Sequence, residues 1–275
     1  MKFIILILTF IFQCFAWSSV GHKTVAAIAW QQLDSASRIC IQSLLPAGTT
    51  ILEASTWADE IKQHRPQTKP WHYLDLPIRE DVKSDALDKF RDRHHGDILT
   101  KTEQFISELK SGKGEKARLS EDMLFVIHFI GDLSMPLHCS SDDDKGGTGK
   151  IVRFFKPGAK KNGRKINLHS LWDHVIQAKS KENPDSLATV LIKAYKNKNY
   201  GSSSPAAMLF DSYTVAKETI YPDLPKGSYK SPYSLPRNYY KMMRPIVELQ
   251  LYKSGVSLLK VLQAVAKENG YKVLE

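Results

Sequence analysis

The sequence predicts an all-α protein folded as a single compact multi-helix domain. Three observations carry this: apolar residues recur at helical spacing along most of the chain, hardly any stretch alternates as a strand would, and no linker is long enough to separate two folding units. At 275 residues, with 42% hydrophobic and 25% charged residues, the composition is that of an ordinary soluble globular protein able to bury a real core.

The elements follow in order. Residues 1–16 stand apart: Lys2, an apolar run from Phe3 to Phe12, then Gln13-Cys14-Phe15-Ala16. That pattern predicts a cleaved secretory signal, too short for a permanent anchor, with the mature domain at 17–275 beginning on Trp17. A lipoprotein signal modified at Cys14 is the alternative, against which Ile11-Phe12-Gln13 lacks small residues. Cys40 and Cys139 would then permit at most one disulfide, which excludes a disulfide scaffold. No Asn-x-Ser/Thr acceptor occurs, which favours a secreted or periplasmic bacterial product over a glycosylated one. The formal charge of +10 suits a polyanionic partner.

Val20, Val25, Ala26, Ile28, Ala29 and Leu33 predict a helix opening on Gly21-His22. Ser35–Leu45 predicts a second, ended by Pro46-Ala47-Gly48, and Ile51–Ile61 a third, carrying Trp57-Ala58-Asp59. Pro66 and Pro70 bracket a loop into Trp71-His72-Tyr73-Leu74-Asp75-Leu76-Pro77, an extended or irregular segment. One or two amphipathic helices fit Asp85–Lys110, and another follows with Ser120-Glu121-Asp122 as its cap. Residues 146–166 predict a small irregular or hairpin insertion, with Asn162-Gly163 in the basic turn from Lys160 to Lys165. The preceding Asp142-Asp143-Asp144 reads as a solvated loop. Helices are predicted for His169–Ile176, Asp185–Tyr195, Pro205–Ile220 and, after a turn-rich linker from Pro222 to Pro236, Tyr239–Glu268 with a bend before Pro245.

Chemistry gathers on His128-Phe129-Ile130-Gly131-Asp132-Leu133-Ser134-Met135-Pro136-Leu137-His138. His128 and Asp132 are four apart and share a helix face, among apolar neighbours that point that face inward. A buried carboxylate needs a partner, either a metal ion or a simple His-Asp hydrogen bond. Pro136 breaks the helix and sends His138 in another direction. A second i, i+4 pair lies at His169 and Asp173, and Asp59, His72 and His22 bring the candidates to eight side chains. Histidine and aspartate without thiolates favour zinc and hydrolytic chemistry, with manganese and iron left open.

These residues resemble the zinc-dependent S1/P1 nuclease family, whose members also act as 3′-nucleotidases. The match comprises Trp17 with Gly21-His22, Trp57-Ala58-Asp59, Trp71-His72-Tyr73 with Asp75, His128-x3-Asp132-x5-His138, Gly146-Gly147, Asn167-Leu168-His169-x2-Trp172-Asp173, and a closing helix with Gln250-Leu251, Gly255 and Leu258-Leu259. It runs in the family's order over nearly the whole mature chain.

The resemblance implies three zinc ions on a helical fold shared with zinc phospholipase C. Asp59, His72, His128 and Asp132 would hold one, and Asp132 would bridge to a second completed by His22 and by the α-amino nitrogen and carbonyl oxygen of Trp17. His138, His169 and Asp173 would hold the third. A hydroxide shared by the zinc pair would attack phosphorus in single-stranded DNA or RNA and leave a 5′-phosphate. An α-amino ligand is reasonable because its pKa, near 8, lies well below that of lysine. Tyr73 would stack on the base, Asp75 accept from its edge and Lys62 meet phosphate. Thr148 stands where many relatives have Asn, which puts base contact there in doubt. Taken singly, His22 and Asp59 would pass for a polar helix start and an exposed carboxylate, and Trp57, Trp71 and Trp172 for core packing. His64, His94, His95 and His174 have no place in the pattern. The basic segment Lys156–Lys165 reads as a backbone track or as an exposed hairpin.

Two other functions compete: a zinc phospholipase C, which typically has Glu where Asp173 stands, and a secreted protein with purely structural zinc. Neither a stable membrane association nor an obligate protein partner is expected.

Overall fold

A computed structural model describes residues 17–157, 163–176 and 183–273. The expected leader at 1–16 and the Lys160-Lys161-Asn162 portion of the expected turn lie outside the described residues. The architecture is mostly helical, as the periodicity predicts, with a small three-stranded sheet.

Three helices open the chain: α1 (Ser19–Gln32), α2 (Ser35–Leu44) and α3 (Ile51–Ile61). Asp34 caps α2 by accepting from Ser37 N–H, and Thr50 with Glu53 forms a reciprocal capping box on α3. A 3₁₀ segment, Pro66–His72, leads to the predicted irregular stretch, and α4 (Ile98–Ser111) ends on Gly112 at φ +59. Next comes α5 (Lys116–Leu133), in which every residue from Asp122 to Leu133 is buried. A helix covered on all sides belongs at the centre of a domain; α5 packs against α1, α2, α3 and α4. It starts before the expected cap: Glu115 precedes it, and the Ser120 hydroxyl donates to the Leu44 carbonyl instead.

The second half adds α6 (Leu168–Ser170), continued by a π-helical turn at Leu171–Ile176, then α7 (Pro184–Tyr195), α8 (Pro205–Val215) and α9 (Tyr239–Glu268). The last helix runs through Pro245 and lies on α1; a Cβ at Gly255 would collide with Ile28, so glycine permits that close crossing. Trp17 and Trp172 are buried, while Trp57 and Trp71 set their edges against Phe125, so all four serve packing. Cys40 and Cys139 are buried, unpaired thiols. Among the described residues, no helix is long and apolar enough to cross a membrane.

The sheet has the order β2-β1-β3, from β1 (Lys150–Phe154), β2 (Arg164–Asn167) and β3 (Tyr229–Ser234). β1 and β2 form the predicted hairpin, with Ile151 opposite Asn167 and Arg153 opposite Lys165. β3 joins β1 in parallel and was not expected inside the turn-rich 222–236 segment. Pro232 is tolerated there because β3 is an edge strand.

The solvated reading of Asp142-Asp143-Asp144 is wrong for two of the three. Asp142 and Asp144 are buried with Lys150, whose Nζ lies 3.0 Å from Asp142 Oδ2 and donates to the Pro225 and Gly227 carbonyls at 2.6 Å each. Tyr221 Oη donates to Asp144, and Asp144 Oδ1 accepts from Asp142 N–H. Burial of an ammonium without such partners would be prohibitive.

A second buried carboxylate lies on α5. Burial and the neighbouring Glu108 carboxylate push Asp122 up to about 7. The folded protein keeps this proton to near neutrality, whereas the unfolded chain releases it near pH 4. Stability is therefore lost as pH rises from about 4 to about 7. Asp122→Asn should remove that loss and raise Tm by about 3 °C or more at pH 8, with little effect at pH 4. Calorimetry at the two pH values checks this; equal Tm for both proteins at pH 8 would refute it.

Candidate metal centre

The buried face of α5 supplies His128 and Asp132, α1 supplies His22, and α3 supplies Asp59. His72 ends the 3₁₀ segment after Pro66, and His138 ends the short turn Pro136–His138. His169 sits in α6, and Asp173 in the π turn. All eight side chains are buried. They fall into three triads whose ligand atoms lie mutually within 4.8 Å: His22, Asp59 and His128; His72, His128 and Asp132; His138, His169 and Asp173. The third is the set implied for one ion. In the first two, Asp59 joins His22 and His128, whereas the resemblance grouped it with His72.

Asp132 stands between them. Its Oδ1 lies 3.3 Å from His22 Nε2 and 3.6 Å from His138 Nδ1; its Oδ2 lies 3.2 Å from His128 Nε2 and 2.9 Å from His72 Nδ1. Each oxygen thus faces a different set of imidazoles.

The donor set fits metal ions. His128 Nδ1 lies 2.7 Å from the Ser55 carbonyl, His138 Nδ1 2.9 Å from the His72 carbonyl and His169 Nδ1 2.7 Å from the Gly146 carbonyl. A carbonyl only accepts, so each Nδ1 carries the proton and each Nε2 presents a lone pair to the cluster. His72 Nε2, His128 Nε2, His138 Nε2, both ring nitrogens of His22, Asp132 Oδ1 and both oxygens of Asp173 are buried without a hydrogen-bond partner. So many orphaned atoms converging on one region are costly unless a cation takes them up. Burial lowers the pKa of His22 and His138 and brings His72 to about 4, whereas for His128 and His169 burial is outweighed by the neighbouring carboxylates, Asp132 and Asp173 foremost, which raise them. Burial opposes ionisation of Asp132 too, but His128 and His138 outweigh it and hold the carboxyl well below its ordinary range. A metal requires neutral imidazoles and an ionised carboxylate, so a cation here would take the place of the protons that the carboxylates favour on His128 and His169.

Glycines make room for these rings. A Cβ at Gly131 would lie 2.6 Å from His22 Nδ1, and Gly146, at φ +58, turns its carbonyl onto His169. Gly131→Ala should leave the fold intact, displace His22 and lower affinity for one metal by about 10–100-fold. Metal titration by calorimetry checks it; an unaltered affinity profile would show that His22 has no such role. Position 131 was not singled out in the sequence, although its place one residue before Asp132 on a buried helix face was a usable signal.

Trp17 is wholly buried, and Ser18 N–H donates to the Asp173 carbonyl at 3.0 Å, tying the start of α1 to the third triad. Lys62 Nζ lies 2.6 Å from Asp59 Oδ1 at the rim of the first triad. Tyr73 is 44% exposed and adjoins His72, and Leu74 N–H bonds to the His138 carbonyl, so the tyrosine projects beside the centre. Asp75 is exposed; the protein around its carboxyl and the charge of Asp144 raise it to about 6, against the pull of His169. The Thr148 hydroxyl donates to the Lys145 carbonyl at 2.9 Å, within its own loop. His64, His94 and His95 stand outside the triads.

A helical domain that buries five histidines and three aspartates in three triads, two of them sharing His128, has the donor set of a metal-binding protein. The model of the S1/P1 nuclease family matches residues 17–267, and the chain belongs to that family. It is 28% identical over 271 residues to Endonuclease 2 of Arabidopsis thaliana, covering 90% of each chain. To Nuclease S1 of Aspergillus oryzae it is 25% identical over 279 residues, covering 92% of this chain and 93% of the relative. Nuclease P1 of Penicillium citrinum is 25% identical over 196 residues, covering 67% and 68%.

Proposed function

We propose that this protein is a secreted or periplasmic zinc-dependent nuclease that hydrolyses single-stranded DNA and RNA to 5′-phosphate products and removes the phosphate of 3′-nucleotides. One observation carries the reading: the two oxygens of Asp132 face separate imidazole sets, His22 on one side and His72 with His128 on the other. That arrangement suits a carboxylate shared by two ions, and the His138, His169 and Asp173 triad suits a third.

Asp59, His72 and His128 would hold one ion and His22 the other, with the α-amino nitrogen and carbonyl oxygen of Trp17 available to complete it once residues 1–16 are removed. Zinc held there supplies Lewis acidity toward a phosphoryl oxygen and a water acidified to near neutrality. Asp132 would be shared by the paired sites, and Lys62, released from part of its bond to Asp59, would donate to a substrate phosphate. Tyr73 stacks on a base, worth about 1–3 kcal/mol and tolerant of base identity. Asp75 accepts from the base edge, and Thr148 contributes contact from the Gly146-Gly147 loop.

Purified protein with zinc should hydrolyse single-stranded DNA and 3′-AMP and leave phosphatidylcholine intact; hydrolysis of phosphatidylcholine alone would assign it to the phospholipase C reading. A Met retained before Trp17 should remove the α-amino ligand and lower activity by about 10-fold or more. Rates equal to those of protein starting at Trp17 would exclude that ligand.

A further inference from the structure

Charge along this chain is not evenly spread. Residues 146–172 contain seven lysines and arginines and no Asp or Glu, and residues 224–247 contain five and again none. All three strands fall inside these two stretches, so the fold gathers the acid-free parts of the sequence into one sheet.

The two faces of that sheet differ. Along β1, Lys150, Val152 and Phe154 are buried while Ile151 and Arg153 are half-buried, and Phe155 continues the outward set. The register places Lys165 and Ser234 beside Arg153. A Cβ at Gly163 would lie 2.7 Å from Arg153 Cγ and 3.0 Å from Phe155 Cε1, so these side chains lie next to one another across that glycine. Arg237 Cζ lies 4.8 Å from the centre of the Phe155 ring. An aromatic ring with one guanidinium over it, and with an arginine and a lysine on the same sheet face, is the composition that binds single-stranded nucleic acid, the ring taking a base and the cations the phosphates. Neither Arg153 nor Lys165 has an ion pair among the described residues.

The face is also close to the metal centre. β2 ends at Asn167, whose side chain accepts from Ser170 N–H, and His169 follows two residues later. Lys165 lies four positions before His169, a reach of at most about 14 Å, and Arg153 lies one strand spacing away, about 4.8 Å.

We propose that this outer sheet face, Phe155 under Arg237 with Arg153 and Lys165 on the same side of the sheet, is a binding track for the single strand a few nucleotides from the reacting phosphate. The track rests on the nuclease reading above and extends it: the enzyme prefers longer strands to dinucleotides. The test compares zinc-loaded wild type, Arg153→Ser/Lys165→Ser and Phe155→Leu on dT20 and on the dinucleotide dTpdT, at 20 and 200 mM salt. Each variant should lose about tenfold in kcat/KM on dT20 at low salt, through KM, and nothing on dTpdT. For the double variant the slope of log(kcat/KM) against log salt should shrink by about 1.4, from roughly 0.7 per phosphate contact. Equal losses on both substrates, or none on dT20, would overturn the track while leaving the nuclease reading intact. A wild type that cleaves neither substrate would overturn the nuclease reading and the track with it. Binding to phosphatidylserine vesicles through these residues, with dT20 cleavage unaffected, would assign the face to a membrane and likewise refute the track.

Discussion

Asp132→Asn is expected to lower hydrolysis of single-stranded DNA by roughly 10³-fold or more and to weaken two metal sites together. The side chain is wholly buried and keeps nearly the size of the original, so the loss would come from charge and ligand identity. Each carboxylate oxygen faces its own imidazoles, and an amide offers only one oxygen and turns an NH₂ group toward the other set. Replacing ligand with donor on one side repels the cation there, and a loss of several kcal/mol of charge stabilisation is on the order of 10³ in rate. Elemental analysis gives the decisive number. Loss of two ions with retained secondary structure fits a shared carboxylate; loss of one fits an ordinary ligand.

Lys150→Met should cost about 3–5 kcal/mol of stability, the range for breaking a buried ion pair by removing one partner. Methionine fills the space, but it leaves Asp142 Oδ2 and the Pro225 and Gly227 carbonyls without their ammonium. Arg79 and Gly227 N–H still reach Asp142, which limits the damage to the low end. For a chain of this size Tm should fall by about 10 °C. Combining the change with Asp142→Asn should cost less than the sum of the two, since both remove one interaction. Additive losses would show that the pair is not coupled. The ammonium also fastens the loop that presents the Gly146 carbonyl to His169, so metal affinity at the His138, His169 and Asp173 triad should fall.

The helices were legible because their apolar spacing and caps are local: the predicted Ile51–Ile61 coincides with α3, and the last helix begins and ends where expected. The metal triads were legible because i, i+4 pairs at His128 with Asp132 and His169 with Asp173 share faces by helix geometry alone. What brings His22, Asp59 and His72 to them is tertiary packing, which the family resemblance supplied and periodicity did not. The Asp142–Asp144 loop was misread because partners remote in sequence decide burial. Lys150 held the missing signal, since in a strand alternating with Val152 and Phe154 it must point inward and needs a carboxylate. β3 was hidden by Pro232, which argues against a central strand and is silent about an edge. The early start of α5 was missed because Ser120 looked like a cap, while its hydroxyl in fact bonds to α2.

Anomalous diffraction at the zinc edge, from crystals of protein beginning at Trp17 and grown with zinc, tests the central claim most directly. Three peaks are predicted: two flanking Asp132, and a third among His138, His169 and Asp173. A single peak, or peaks that do not share Asp132, would contradict it.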